Sequence, residues 1–391
     1  MLKAYKYRIY PDVDQLNFFH KQFGTCRFVY NWALESRKKE YDDNGSFISK
    51  HTLKTMLPGL KKENEWLRET NSQSLQSAID NLDNAYQRFF KGLAEYPNFK
   101  SSRNPIQSFQ IPQHYTVDFE HNTIKFPKIK TPVKAKFHRK FTGIMKTATV
   151  SKTPTGKYFI SILVDDGTPV PEKETYDNNS TVGLDLGIKD FAILSNGTKI
   201  NNPKHLRDSM ERLKALQKRV SRKKKGSRNR KKAAMKLAKL HEKIYNQRHD
   251  FQHKLTSRLI DENQAIAIEN LNVDGMLKNH CLAQSISDVS WSSFITKLKY
   301  KANWYGKTVL EIGKFEPSSK LCNVCGYKNT ELKLSDRNWI CPSCQTKHDR
   351  DINAAINIKN IALNTPLEQR IEPVDLFPIG KGMKQEATSS N

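Results

Sequence analysis

The sequence predicts a multidomain α/β protein with a small β-barrel in its first half, and three observations carry that prediction. Short apolar runs divided by Pro, Gly and Asn turns recur between residues 108 and 164, which is typical of a small barrel. A continuous apolar run at 265–268 ends in an acid and is typical of a strand buried in the middle of a sheet. The spacing C-x2-C-x15-C-x2-C at 322–344 adds a metal-binding module.

The charge of the chain narrows the possible functions. Its 391 residues include 66 Lys and Arg against 40 Asp and Glu, a formal charge of +26. A protein this basic pairs with a polyanion, and nucleic acid is the first candidate, whereas a merely basic enzyme fits this excess poorly. The sequence has no apolar run of membrane-spanning length and no signal-peptide core at its start. We therefore expect no membrane partner and a reducing, cytoplasmic and nucleoid-associated location.

The first third of the chain combines one strand with helical stripes. Residues 2–9 intersperse apolar and basic side chains and predict a short strand that joins the barrel. Apolar residues recur every three or four positions over 16–33 and again over 72–93, which predicts two helices. A weaker helical piece at 51–65 is interrupted at Pro58, and basic residues off the stripes, such as Arg37, are expected to be exposed.

The barrel is therefore predicted to comprise residues 1–10 and 105–175, with the helices of 11–104 inserted between its strands. Lysines and arginines between 125 and 140 lie on this barrel. Charge alone does not separate a nucleic-acid surface from a solvated one, but the excess over the whole chain favours nucleic acid.

Two acids mark the strands of the second half. Residues 181–197 predict two strands joined by a tight turn, with Gly183, Asp185 and Gly187 on one face. An aspartate between two glycines has room beside it for a metal and a phosphate backbone; the alternative is a surface aspartate. Glu269 ends the buried strand, where open α/β sheets place their sites, and a buried carboxylate is costly unless it is paired or bound to metal.

A long insertion separates these strands. Two apolar stripes within 207–260, joined through Gly226, predict a helical hairpin with a basic tip. A segment with so dense a positive charge would be disordered alone and ordered by phosphates. The competing interpretation is a localisation signal, which fits poorly inside a domain. The predicted nucleic-acid contacts at this tip are Arg222, Lys223, Lys224, Lys225, Arg228, Arg230, Lys231 and Lys232.

The paired knuckles predict a zinc site formed by Cys322, Cys325, Cys341 and Cys344. Each C-x-x-C places two thiolates on one tight turn, and four thiolates complete a tetrahedron around Zn²⁺. No coordination position stays open, so this zinc would be structural. The alternatives are two disulfides or four unrelated thiols.

A third acid follows the knuckles, in a predicted helix that begins near residues 348–351. Helical geometry does not choose between Asp349 and Asp351, although Asp349 is also a plausible helix N-cap. One acid each from a strand, a buried strand and a late helix is typical of an RNase H-like fold that gathers carboxylates around two Mg²⁺ or Mn²⁺ ions.

With these motifs in view, the chain resembles the TnpB family of transposon-encoded RNA-guided nucleases, regarded as ancestral to type V CRISPR effectors. The resemblance covers nearly the whole chain, and the segments that carry it are GLDLGIKDFAILSNG, IAIENLN, PSSKLCNVCG and ICPSCQTKHDRDINAAINI, supported by FVYNWALE. It implies that Asp185, Glu269 and Asp351 occupy the RuvC-type catalytic positions, so that the second aspartate of DRD is the acid.

The resemblance also implies a domain plan and partners. The barrel would be a wedge-type domain, and the inserted helices a recognition domain. They would be followed by a RuvC-like nuclease at 176–315 and 347–365, a zinc module at 316–346 and a flexible tail at 366–391. The implied partners are a guide RNA from the transposon end and double-stranded target DNA beside a short motif. The implied cofactors are Mg²⁺ (or Mn²⁺) and Zn²⁺. We expect the protein to be a monomer.

Two rival functions stay open. One is a guide-free nuclease or transposase of the same fold, but such a protein does not require a basic first half as large as this one. An RNA-guided repressor that only binds DNA would not need the three intact acids.

Overall fold

The computed structural model describes residues 1–313, 316–333 and 335–365, so the predicted tail at 366–391 lies outside the described residues. The chain divides into two compact units, residues 1–168 and a second unit that begins at Pro169. Within the described part of the chain, no helix is both long enough and apolar enough to cross a membrane. The finer division into domains stays a prediction.

Unit 1 is built on one antiparallel sheet in the order β2-β6-β7-β1-β5-β4-β3. Its strands fall close to the predicted runs: β1 (Leu2–Tyr10), β2 (Gln107–Ile111), β3 (Thr116–Asp118), β4 (Thr123–Lys125), β5 (Val133–Lys136), β6 (Ile144–Lys152) and β7 (Tyr158–Asp165). The N-terminal strand joins this sheet as predicted, because β1 pairs with β7 on one side and β5 on the other.

The predicted barrel is wrong in its closure. Within residues 1–168, all of which the structure describes, β2 and β3 are the two edges of the sheet and do not pair with each other. A helix fills the space instead: Phe19 of α1 (Val13–Asn44) contacts both Phe109 on β2 and Phe126 just after β4, with ring centroids 5.8 and 5.6 Å apart. All three rings are buried in the core of unit 1, so α1 packs on the sheet beside both β2 and β4.

The helices of unit 1 are α1, α2 (Lys50–Glu63) and α3 (Ser72–Phe90), with a short 3-10 turn at Glu65–Glu69. The predicted interruption at Pro58 is wrong, because α2 runs through it. A proline inside a helix costs about 3 kcal/mol. The burial of Leu53, Leu57 and Leu60 on one face of α2 offsets this cost, at about 1.5–3 kcal/mol for each leucine.

Arg37 is buried rather than exposed, with 1% of its surface accessible. Its Nη2 lies 2.9 Å from Asp83 Oδ1, its Nε donates to the carbonyl of Ile48 at 2.9 Å, and its guanidinium lies 4.3 Å from the ring centroid of Phe47. The side chain therefore ties α1 to α3, because a buried charge needs a paired and hydrogen-bonded environment.

Unit 2 contains a mixed five-stranded sheet in the order β10-β9-β8-β11-β12. Its strands are β8 (Thr181–Leu186), β9 (Asp190–Leu194), β10 (Lys199–Asn201), β11 (Ala265–Glu269) and β12 (Thr308–Ile312). β8, β11 and β12 are parallel, whereas β9 and β10 run antiparallel to their neighbours. β11 lies between β8 and β12, and the burial of its first four residues confirms the buried strand predicted from its apolar run.

Helices cover both faces of this sheet. The helices of unit 2 are α4 (His205–Asp208), α5 (Met210–Ser221), α6 (Arg228–Glu262), α7 (Val273–Leu277), α8 (His280–Val289), α9 (Trp291–Trp304) and α10 (Arg350–Asn364). Of these, α6, α8 and α9 pack on one face of the sheet and α10 on the other. Ile266 and Ile268 of β11 join a core with residues of α6 and α9, while Ala265 and Ala267 join a second core with Ile358 of α10. This alternation is the two-residue period of a strand with both faces buried.

A two-stranded hairpin, β13 (Asn338–Ile340) and β14 (Lys347–Asp349), carries the second cysteine pair. α10 begins at Arg350, directly after β14. The cysteine module is thus joined to α10 with no intervening loop.

Candidate active site and metal centre

Asp185 and Glu269 lie on neighbouring parallel strands at the same edge of the sheet. Ile268 of β11 is paired with Leu184 of β8, so the next residue on each strand is one of these acids. Adjacent strands are about 4.7–4.9 Å apart, which puts the two carboxylates on adjacent strand ends. Both side chains are half-buried.

The glycines beside Asp185 serve packing rather than substrate access. A Cβ added to Gly183 would lie 2.0 Å from the carbonyl oxygen of Ala355, so α10 lies directly on β8 at this point. A Cβ on Gly187 would lie 2.7 Å from the carbonyl of Asp190, inside the β8–β9 turn. The space that the sequence suggested for a phosphate backbone is therefore filled by the chain itself.

The close approach of α10 to β8 brings Asp351 to the same region. Asp349 is the N-cap of α10: its carboxylate accepts hydrogen bonds from the backbone N–H groups of Asp351 and Ile352, at 3.1 and 3.2 Å. Lys199 donates to the other oxygen of Asp349 at 2.6 Å. Asp349 is thus confirmed as the helix N-cap. Asp351, two residues later in the first turn of α10, does not cap the helix.

The charges of Glu269 and Asp351 influence the charge state of Asp185. Burial, and then the negative charges of Glu269 and Asp351, raise the pKa of Asp185 from 3.8 to about 7, while Arg350 and Arg337 oppose the shift. At Asp349, by contrast, the hydrogen bonds and charge of its neighbours outweigh burial, and its pKa is lowered. Acids in one site repel each other's charge in this way unless a cation is present.

Two arginines, which the sequence analysis did not single out, lie at Asp351. Arg337 Nη1 lies 3.1 Å from Asp351 Oδ2, and Arg350 Nε lies 3.5 Å from Oδ1. Arg337 comes into range because the β13–β14 hairpin folds back: the N–H of Arg350 donates to the carbonyl of Arg337 at 2.8 Å. The short alternating segment before the second cysteine pair was the available signal for this hairpin.

The four cysteines are close enough together to bind one metal ion. The Sγ atoms of Cys322, Cys325, Cys341 and Cys344 all lie within 4.8 Å of one another. Within the described residues the three carboxylates do not form such a tight group, and Asp351 is paired with arginine instead. Four thiols at this spacing have the donor set and count that tetrahedral zinc requires.

The surroundings of the thiols also suit a metal. The Cys344 thiol donates a hydrogen bond to the hydroxyl oxygen of Thr346 at 3.2 Å, which holds the sulfur in place. His348 is buried, its Nε2 lies 3.1 Å from Cys322 Sγ, and Trp339 packs on its ring with centroids 4.7 Å apart. A ring nitrogen held against a thiol sulfur orients that sulfur towards the cluster.

The basic tip lies between α5 and α6, which pack together through Leu213, Leu240 and Ile244. Seven of the eight predicted contacts are exposed, namely Arg222, Lys223, Lys224, Lys225, Arg228, Lys231 and Lys232. Arg230 differs, because its Nη1 donates to the carbonyls of Val220 and Lys223 at 2.8 and 3.0 Å. It binds a last-turn carbonyl of α5 and a carbonyl just beyond the helix end, so its first role is to hold the hairpin together.

Three family models match the chain. Residues 160–280 match a family described as "Probable transposase", and residues 291–358 match the "Cas12f1-like, TNB domain". Residues 1–46 match a "Helix-turn-helix domain", although the structure here has a strand followed by the single helix α1.

Relatives extend the match over almost the whole chain. A protein of Streptomyces pristinaespiralis, provisionally named an RNA-guided DNA endonuclease, is 39% identical over 361 residues, covering 91% of this chain and 88% of the relative. InsQ of Escherichia coli (strain K12), with the same provisional name, is 32% identical and covers 91% of each chain.

A solved Cas12f1–sgRNA–target DNA complex resembles the fold, with a TM-score of 0.56 and 16% identity over 88% of this chain and 82% of that one. Because the two relatives are more than 30% identical over about nine-tenths of this chain, and because the transposase model also matches, the chain belongs to the TnpB family.

Proposed function

We propose that the protein is an RNA-guided DNA endonuclease of a transposable element. It would use a guide RNA derived from the element's end to cut matched DNA beside a short motif. The observation that carries the proposal is that Asp185 and Glu269 end neighbouring parallel strands, while α10, whose first turn holds Asp351, packs directly on β8. The names of the two relatives support the RNA-guided activity.

Three carboxylates in one site fit divalent metal ions. Hard oxygen donors suit Mg²⁺ or Mn²⁺. Burial, and then the negative charges of Glu269 and Asp351, raise the pKa of Asp185, and such cations would neutralise those charges. A pair of such ions supplies an activated water and stabilises the leaving oxygen in phosphodiester hydrolysis. The residues that would hold them are Asp185, Glu269 and Asp351.

The nuclease part is proposed to be RuvC-like, that is, RNase H-like. The proposal is supported by the sheet order, in which three antiparallel strands are followed by two parallel ones, and by one acid each on β8, β11 and α10. In this arrangement Asp185 and Glu269 are held by rigid strands, while Asp351 depends on the start of α10. Arg337 lies beside Asp351 and would be able to bind a phosphate if a cation neutralised that carboxylate instead.

The remaining chemistry of the chain suits a nucleic-acid effector that leaves sequence reading to base pairing. Guide pairing would select the target, and the protein would contact backbone and shape. The exposed lysines and arginines of the α5–α6 tip are proposed to contact phosphates. Zinc, held by the four cysteines, would keep the module before α10 folded.

The deciding experiment is cleavage of a plasmid that carries a guide-matched target, with the protein loaded with its cognate RNA. The protein is purified with the RNA that it retains, and that RNA is sequenced to define the guide. We expect cutting that requires both the RNA and Mg²⁺ or Mn²⁺. Asp185→Ala, Glu269→Ala and Asp351→Ala should each abolish cutting, yet leave guide-directed binding in place, because phosphate contacts come from the basic residues.

The outcomes separate the rival functions. Equal cutting with and without the RNA would favour a guide-free nuclease or transposase. Guide-directed binding with no cutting under any metal would favour a repressor. Full cutting by Asp185→Ala would remove the proposed mechanism.

A further inference from the structure

A four-residue segment just before the first zinc knuckle contacts two of the three acid-bearing elements. We call residues 318–321 the clamp segment. It has no regular secondary structure, and its Lys320 and Leu321 N–H groups donate to the carbonyl of Pro317 in a tight turn. Ser318 is nonetheless buried, with 4% of its surface accessible. Buried irregular backbone needs hydrogen-bond partners from elsewhere in the protein.

Two asparagines of α10 supply those partners. Asn353 and Asn357 are four residues apart on one face of the helix and are 1% and 2% accessible. The Asn357 amide donates to the carbonyls of Ser318 and Leu321 at 2.8 and 2.6 Å, and the Asn353 amide donates to Leu321 at 2.7 Å. The N–H groups of these two buried amides fix the position of the segment along α10.

The same asparagines hold the zinc knuckle. Asn353 Oδ1 accepts a hydrogen bond of 3.0 Å from the backbone N–H of Asn323, which lies between the first two cysteines. Leu321, bonded by both amides, directly precedes Cys322. A knuckle closed by metal is therefore attached to the helix that begins with Asp349 and Asp351.

The other contact of the clamp segment is with Glu269. The hydroxyl of Ser318 donates to Glu269 Oε1 at the end of β11. A carboxylate oxygen occupied in this way is restricted in rotation, so the remaining oxygen has a defined direction. The clamp segment thus joins Glu269 on one side to α10 on the other.

We propose that Ser318, Asn353 and Asn357 are positioning residues that set Glu269 relative to Asp351, with the zinc knuckle as their anchor. The inference rests on the proposed function, in which these two acids hold metal. Zinc would then act on the nuclease centre at a distance, by fixing the clamp segment. A purely stabilising role is the alternative, and the two differ in metal affinity.

The first test measures Mn²⁺ binding by the electron paramagnetic resonance signal of free Mn²⁺, which needs no cleavage. Ser318→Ala should weaken binding about tenfold, the lower end of the effect of removing a hydrogen-bond partner from a metal ligand. Ser318→Thr keeps the hydroxyl and should restore affinity. Ser319→Ala, the adjacent residue, is the matched control and should bind Mn²⁺ like the original protein. Zinc content should be unchanged in all three.

The second test places the effect on α10. Asn357→Asp keeps the size of the side chain but puts a carboxylate against two carbonyls, so it should release zinc faster to a chelator and also weaken Mn²⁺ binding. Asn364→Asp, exposed on the same helix, should do neither. Loss of thermal stability by Asn357→Asp with unchanged Mn²⁺ affinity would overturn the proposal and leave a structural role.

The outcomes are distinguishable from a failure of the proposed function. If the guide-loaded protein cuts DNA and Ser318→Ala binds Mn²⁺ as tightly as the original, the positioning role is refuted and the endonuclease stands. If the protein never cuts but Ser318→Ala weakens Mn²⁺ binding, the positioning role is supported and the endonuclease fails.

Discussion

Replacing Asp185 with asparagine should stabilise the protein in Mg²⁺-free buffer while abolishing its cutting. The substitution removes one charge and keeps the size of the side chain. In the folded protein, burial and the charges of Glu269 and Asp351 raise the pKa of Asp185 from 3.8 to about 7. The folded state therefore binds a proton more tightly than the unfolded state, so stability is retained below pH 3.8 and falls as pH rises towards 7.

The size of the effect follows from that shift. Each pKa unit corresponds to about 1.4 kcal/mol, so a shift of roughly three units costs at most about 4 kcal/mol above pH 7. Because water and side-chain relaxation screen part of this cost, we expect about 2 kcal/mol at pH 8. For a unit of this size that is a rise of about 4–8 °C in Tm. At pH 5 the gain should be smaller, since Asp185 is then largely protonated.

The assay is thermal unfolding of both proteins at pH 5 and pH 8 without divalent metal other than zinc. Asp349→Asn is the matched control, because asparagine still caps α10 and only the ion pair with Lys199 is lost. Hydrogen bonds and the charge of Lys199 stabilise the ionised form of Asp349 and lower its pKa. The Asp349→Asn variant should therefore be as stable as the original protein or slightly less stable. Equal Tm values for the original protein and Asp185→Asn at pH 8 would refute the reasoning.

Three further outcomes are expected. Asp349→Ala should lose a helix cap, about 1 kcal/mol of unfolding free energy, and keep measurable cutting, whereas Asp351→Ala should not cut; the reverse pattern in the plasmid assay would show that Asp349 is the acid. Purified protein should contain about one zinc per chain by elemental analysis, and Cys322→Ser should lose it; a metal-free protein that is folded and active would contradict the zinc site. Replacing Lys223, Lys224 and Lys225 together with Ala should flatten the salt dependence of RNA binding, while Arg230→Ala should mainly lower the Tm; an unchanged salt slope would exclude the tip from the RNA contact.

Local patterns in the sequence predicted most of the secondary structure. Strand alternation located β8 and β9, and a continuous apolar run located β11, because side-chain periodicity reports directly which face is buried. The N-cap at Asp349 was also readable, since a cap depends on residues three positions away. The interruption at Pro58 failed because three buried leucines outweigh one missing hydrogen bond.

Features that depend on distant parts of the chain were not readable. The barrel was predicted from strand spacing, but closure depends on pairing between the edge strands β2 and β3, which are distant in the sheet order and do not pair. Gly183 was read as space for a ligand, whereas its missing side chain admits Ala355 of α10, 172 positions away (355 less 183).

The candidate site separates in the same way. Each acid could be proposed from its own segment. The residues that neutralise or hold these acids come from distant segments, and no local sequence pattern indicates such contacts. Arg337 meets Asp351 only through the β13–β14 hairpin, and Ser318 meets Glu269 only because α10 holds the clamp segment. Burial, and then the charges of Glu269 and Asp351, raise the pKa of Asp185, so the charged acids alone are poorly stabilised. Their placement is therefore maintained by the partners that the fold brings to them, and substitutions at those partners should alter metal affinity before they alter the fold.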